Sequence, residues 1–155
     1  MSNTYRIVVG VDGSDGGRRA LRWAVHEALA RHGTVQAIMA WTWDGLGAPP
    51  EGFVHPEDER KAAERSLAEQ LAAVHVQEGL VLADEVVEGL PAAVLTAAAR
   101  DADLLVLGGH GHGRVHHAVL GSVSEECIRK ATCPVVIVPV PHPADAAATE
   151  LATLG

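Results

Sequence analysis

The chain has 155 residues, the size of one ordinary domain, and is 48% hydrophobic but only 3% aromatic, so its core has to be built from Ala, Val and Leu. Twelve Lys and Arg against twenty Asp and Glu leave a formal charge of −8 with His neutral. That balance opposes the counterion release on which phosphate-backbone binding depends, so nucleic acid is not an expected partner, although a few local cations can still hold a small anion. The two cysteines, Cys127 and Cys133, are too few for a disulfide framework and lack a CxxC spacing, which fits a reducing compartment.

The first eleven residues read as a polar lead followed by the apolar run Ile7-Val8-Val9-Gly10-Val11. The run is too short for a signal-peptide core or a membrane span, so a cytoplasmic protein with no membrane partner is expected. Being β-branched at nearly every position, it predicts a central strand buried on both faces. Asp12-Gly13-Ser14 ends it, and Ser14 is placed to cap a helix with apolar positions Leu21, Ala24, Val25, Ala28 and Leu29, stopped by Gly33.

Val35 to Trp43 predicts a second strand, and Gly45, Gly47, Pro49, Pro50 and Gly52 then form a loop. A helix from about Pro56 carries the mostly apolar stripe Ala63, Leu67, Gln70, Leu71 and Val74 and ends near Gly79. Leu80 to Glu88 is the third strand, Pro91 opens a short helix with Val94, Leu95, Ala98 and Ala99 on one face, and Leu104-Leu105-Val106-Leu107 is another buried strand. A helix from about Ser122 to Ala131 and the strand Pro134 to Val140, whose prolines suggest a sheet edge, complete the pattern. Strands alternating with helices predict an α/β fold, an open parallel sheet with helices on both faces. Residues 1–141 are expected to form the domain and residues 142–155 a tail.

Residues 107–125 run from a strand's carboxyl end to a helix's amino end, where ligands bind in open α/β sheets. Five glycines lie between residues 108 and 121, namely Gly108, Gly109, Gly111, Gly113 and Gly121. They let successive N–H groups converge on an anion, and Gly121, Ser122 and Val123 add helix N-terminal amides. Ser122 and Glu125 also read as an S-x-x-E capping box, compatible with either role. The segment is neither GxxxxGK[ST] nor GxGxxG.

The spacing Gly108-x2-Gly111-x9-Gly121-Ser122 resembles the ATP-binding signature of the universal stress protein family. The resemblance covers about residues 5–140. It is carried also by Val9-Gly10-Val11-Asp12-Gly13-Ser14, Glu88-Gly89-Leu90-Pro91-Ala92, Asp103 to Gly108, Gly121-Ser122-Val123-Ser124 and Cys133-Pro134-Val135-Val136-Ile137-Val138. It implies a five-stranded sheet of order 3-2-1-4-5, bound ATP with Mg²⁺, and a homodimer paired through Val135 to Val140.

By the same resemblance Gly10, Val11 and Asp12 lie at the nucleoside, where the Asp12 carboxylate accepts from ribose or adenine donors, and Ala40 offers a small wall to adenine. Leu107, Gly108 and Gly111 lie close to ribose and phosphates, with His110 and Gly113 beside them, and Gly121, Ser122, Val123 and Ser124 wrap the phosphates. Taken alone, Asp12 is an ordinary turn aspartate and Ala40 a core alanine. Arg114 either compensates phosphate charge or is a solvated surface arginine.

His110, His112, His116 and His117 fall within eight residues of a chain with nine histidines. They can titrate and make anion binding pH-sensitive, bind a transition metal, or be incidental surface residues, and the spacing is not that of a zinc finger. No nucleophile with a partnered base is visible, so at most weak ATP hydrolysis is expected. The implied function is a nucleotide-dependent stress-response regulator or sensor read by a protein partner. The alternatives are a nucleotide-free interaction dimer and a cAMP- or AMP-binding relative. Trp41 and Trp43 either report binding by fluorescence or serve core or dimer packing.

Overall fold

The structure, a computed structural model, describes residues 3–43, 55–109 and 120–140. Among these, the chain forms β1 (Arg6–Gly10), α1 (Asp15–Arg31), β2 (Thr34–Trp41), α2 (Pro56–Ala72), β3 (Leu82–Glu88), α3 (Pro91–Ala98, continued by a 3-10 turn Ala99–Asp101), β4 (Leu104–Gly108), α4 (Ser122–Lys130) and β5 (Val135–Val138). The five strands make one parallel sheet of order β3-β2-β1-β4-β5, the expected architecture. The expected tail lies outside the described residues.

The apolar run of β1 divides by period 2 between two cores. Ile7 and Val9 pack with Val35, Ala37, Met39, Leu104 and Val106 against Leu21 and Val25 of α1 and Leu67 of α2. Val8 points the other way, with Ile38, Leu105 and Leu107, against Ala92 and Leu95 of α3 and Cys127 of α4. Burial on both faces is why no polar residue interrupts the run, and each such side chain contributes about 1.5–3 kcal/mol of transfer free energy.

Ser14 caps α1 as expected, its hydroxyl oxygen accepting from the Gly17 amide at 3.2 Å. The other end differs in its physics. The left-handed residue is His32, φ 53, and the Gly33 amide donates back to the Ala28 carbonyl at 2.8 Å. Gly33 is small for another reason: a Cβ there would stand 2.4 Å from the Tyr5 carbonyl oxygen.

Helix α2 ends at Ala72, well short of Gly79, and an irregular segment leads on to β3, which pairs with β2 from Val35 and Leu82 onward. Val74 stays buried in that segment, and Gly79 takes φ 94 in a turn. At the sheet's ends, β3 exposes Asp84, Glu85 and Glu88, whereas β5 is four apolar residues bounded by Pro134 and Pro139.

Candidate functional site

Strands β1 and β4 are neighbours, yet the chain leaves β1 for β2 on one side and β4 for β5 on the other, so their carboxyl ends form the topological switch point. Two helices begin there. A Cβ on Gly108 would stand 2.6 Å from the carbonyl carbon and oxygen of Gly16, so the end of β4 meets the first turn of α1 backbone to backbone. Gly16 and Gly17 are both buried and belong to the site's frame, a role that the sequence alone does not single out. Its trace there is two adjacent glycines in a first helical turn, costing about 1 kcal/mol each against alanine.

The turn after β1 is built around Asp12. Its Oδ1 accepts from the Ser14 amide at 3.0 Å and also from the Ser14 hydroxyl. Gly13 takes φ 82, and a Cβ on Gly17 would stand 2.8 Å from Asp12 Oδ1. The carboxylate is thus held at the mouth of the crevice on an exposed residue. The Gly10–Ile38 pair is followed by a 2.9 Å bond from the Val11 amide to the Ile38 carbonyl, and Asp12 and Ala40 lie two residues beyond that pair on their chains.

Gly10, Val11 and Leu107 have packing roles of their own. A Cβ on Gly10 would stand 2.8 Å from Leu95 Cδ1 and 2.9 Å from Leu107 Cδ2, and both Val11 and Leu107 are buried. Ala40 and Trp41 are half-buried near the end of β2, and Trp43 is exposed.

At the glycine-rich segment, the Gly109 amide extends the β4–β5 ladder to the Val138 carbonyl at 2.8 Å. The Gly121 amide donates to the Gly109 carbonyl at 2.9 Å, and the Ser124 hydroxyl to the Gly108 carbonyl at 3.0 Å. Two hydrogen bonds therefore hold the entrance of this segment to its exit. His110, Gly111, Gly113 and Arg114, together with His112, His116 and His117, lie outside the described residues.

Helix α4 starts one residue earlier than a Ser122 capping box implies. Gly121 is the N-cap, extended at φ −75 and ψ 166, and among the described residues no side chain caps the helix. Ser122 is the first helical residue and exposed, Val123 is half-buried, and the Ser124 hydroxyl is committed to Gly108. Leading amides of a helix that lack a side-chain acceptor favour an anion.

Burial pushes the Cys127 thiol up to about 11 and raises that of Cys133 as well, so neither offers a thiolate at neutral pH. No helix among the described residues is long and apolar enough to cross a membrane.

Fold and crevice together define an open α/β protein of the kind that takes ligands at the carboxyl ends of its strands. Residues 4–139 match the model of the universal stress protein family, and the chain belongs to that family. It is similar to universal stress protein Rv2624c of Mycobacterium tuberculosis (strain ATCC 25618 / H37Rv), with 33% identity over 132 residues covering 84% of this chain and 47% of that protein. The chain spans about half the length of the curated relatives it matches. Its fold is similar to that of universal stress protein UspA from Lactobacillus plantarum, at a TM-score of 0.70 and 21% identity, covering 89% of this chain and 99% of the other. It is also similar to a universal stress protein solved in complex with cAMP, at a TM-score of 0.63 and 26% identity, covering 90% of this chain and all of the other.

Proposed function

We propose that this chain binds ATP, with Mg²⁺, in the crevice at the carboxyl ends of β1 and β4, and that it is a nucleotide-dependent stress-response regulator or sensor rather than a dedicated enzyme. The observation that carries the reading is the start of α4, which no described side chain caps and which the 2.9 Å Gly121–Gly109 bond ties to the end of β4. Backbone amides and the exposed Ser122 hydroxyl suit an anion with several oxygens. On this reading Gly108, Gly111 and Gly121 to Ser124 hold the phosphates, with His110, Gly113 and Arg114 in the same loop. Gly10, Val11, Asp12, Ala40 and Leu107 surround the nucleoside. The exposed Ser122 hydroxyl would be one oxygen ligand for Mg²⁺, which would offset phosphate charge in a chain of formal charge −8.

We further propose a cytoplasmic homodimer paired along β5, from Val135 towards Val140, whose nucleotide state is read by a protein partner. The relative solved with cAMP supports a second reading, in which the same crevice prefers a cyclic or monophosphate adenine nucleotide.

The test is calorimetric titration of nucleotide-stripped protein with ATP, with and without Mg²⁺, and with cAMP and GTP. Saturable binding of ATP alone, near one per chain, is the expected result. Binding of cAMP in preference to ATP selects the second reading, and heat from none of the three leaves a nucleotide-free interaction dimer. Gly111→Val, which puts a branched side chain where phosphate is expected, should remove ATP binding and leave the fold intact.

A further inference from the structure

Three polar side chains are buried among the described residues: Ser14 at 8% exposure, Gln70 at 4% and Ser124 at 4%. Burying an amide or hydroxyl is unfavourable unless it is bonded, so each calls for a reason. Ser14 holds Asp12 and the first turn of α1, and Ser124 holds the end of β4. Both are spent on the backbone that frames the crevice.

Gln70 follows the same pattern from a distant helix. It stands on α2 three residues after Leu67, with Val74 just past the helix end, both in the α1-side core, where an apolar residue would pack with no polar group to satisfy. Its Nε2 donates to the Gly13 carbonyl at 3.4 Å, a long bond, while its Oε1 is buried with no partner among the described residues. The bond to Gly13 is the one polar contact that the Gln70 side chain makes among the described residues. It reaches the left-handed residue, φ 82, between Asp12 and Ser14.

We infer that Gln70 is a positioning residue, clamping the Gly13 carbonyl so that the Asp12 carboxylate is fixed in the orientation that meets the nucleoside. The inference rests on the nucleotide reading for its last step only; the clamp itself is a property of the ligand-free chain. Gln70 touches no ligand, and its effect on affinity runs through Asp12.

Gln70→Met keeps the length and apolar packing, removes the donor and also removes the orphaned oxygen, so the midpoint of thermal unfolding should be unchanged or slightly raised. In nucleotide-free protein the amides of Ser14 and Gly17 should exchange with solvent about three- to tenfold faster than in wild type, while amides of β4 stay as protected as before. ATP should bind about three- to tenfold more weakly. Gln70→Leu gives the same comparison should the methionine variant fold poorly.

Wild-type protection at Ser14 and Gly17 in the variant would overturn the clamp, as would a uniform loss of protection that merely follows stability. Faster exchange with unchanged ATP affinity would overturn the step from Gly13 to Asp12. Failure of wild-type protein to bind any nucleotide would instead remove the functional reading, and the exchange measurement would still decide the clamp.

Discussion

The Ser124 hydroxyl donates to the Gly108 carbonyl at 3.0 Å, joining the first turn of α4 to the last residue of β4 across the whole glycine-rich segment. Ser124→Ala leaves that part-buried carbonyl without this donor, which should destabilise the chain by about 1–2 kcal/mol, or roughly 2–8 °C in unfolding midpoint. Thermal unfolding measures this directly. ATP affinity should fall as well, because α4 is no longer held against β4. A lowered midpoint with undiminished affinity would mean that the phosphates are bound elsewhere.

Two glycines of the same region should respond to different degrees. A Cβ at Gly108 would press on the Gly16 backbone at 2.6 Å, and backbone cannot rotate aside, so Gly108→Ala should cost about 1–3 kcal/mol by denaturant unfolding. Among the described residues, a Cβ at Gly121 would meet only the Gly109 carbonyl oxygen, at the ordinary distance of 3.7 Å, and φ is −75. Gly121→Ala should therefore cost less than about 1 kcal/mol. Equal costs at the two positions would contradict the packing of β4 on α1.

The contrast bears on what could be read in advance. The two-sided burial of β1 is written in consecutive β-branched residues, and the helix cap at Ser14 is local chemistry, so both were legible. Gly10 was assigned to the ligand, but its place beneath Leu95 and Leu107 depends on residues about a hundred positions away. Gln70 stood in view as the one polar member of the stripe on α2, yet only the fold brings Gly13 to it. The capping box at Ser122 failed because Gly121 had already taken the N-cap conformation and Ser124, two residues on, spends its hydroxyl on Gly108.

Cys127 makes a pH dependence testable. Burial disfavours the charged form and pushes its folded thiol up to about 11 from the ordinary 9.0. The stability this contributes is complete below pH 9, where both states are protonated. It is lost as pH rises from 9 through 11, where the unfolded chain gives up its proton first; about 2–3 kcal/mol should disappear over that window. Denaturant unfolding at pH 8, 9, 10 and 11 should show the decline, and Cys127→Ala should flatten it from a lower starting stability. An identical slope in the variant would assign the alkaline loss to other groups.

β5 is the last strand of the sheet on its side. Pro134 and Val138 turn their carbonyls to β4, accepting from Leu105 at 3.0 Å and Gly109 at 2.8 Å. Since the N–H and C=O of one strand residue point the same way, the residues of alternate parity, Val135 and Ile137, turn theirs outward. Ile137→Pro removes an outward donor without touching the β4–β5 ladder, and proline is tolerated on an edge strand. If two chains pair along this edge, the variant should keep its far-ultraviolet circular dichroism and sediment as a monomer where wild type sediments as a dimer. Val136→Pro, which removes an inward donor, should instead destabilise the sheet itself. A folded Ile137→Pro variant that still dimerises would move the interface off the strand edge and onto another surface.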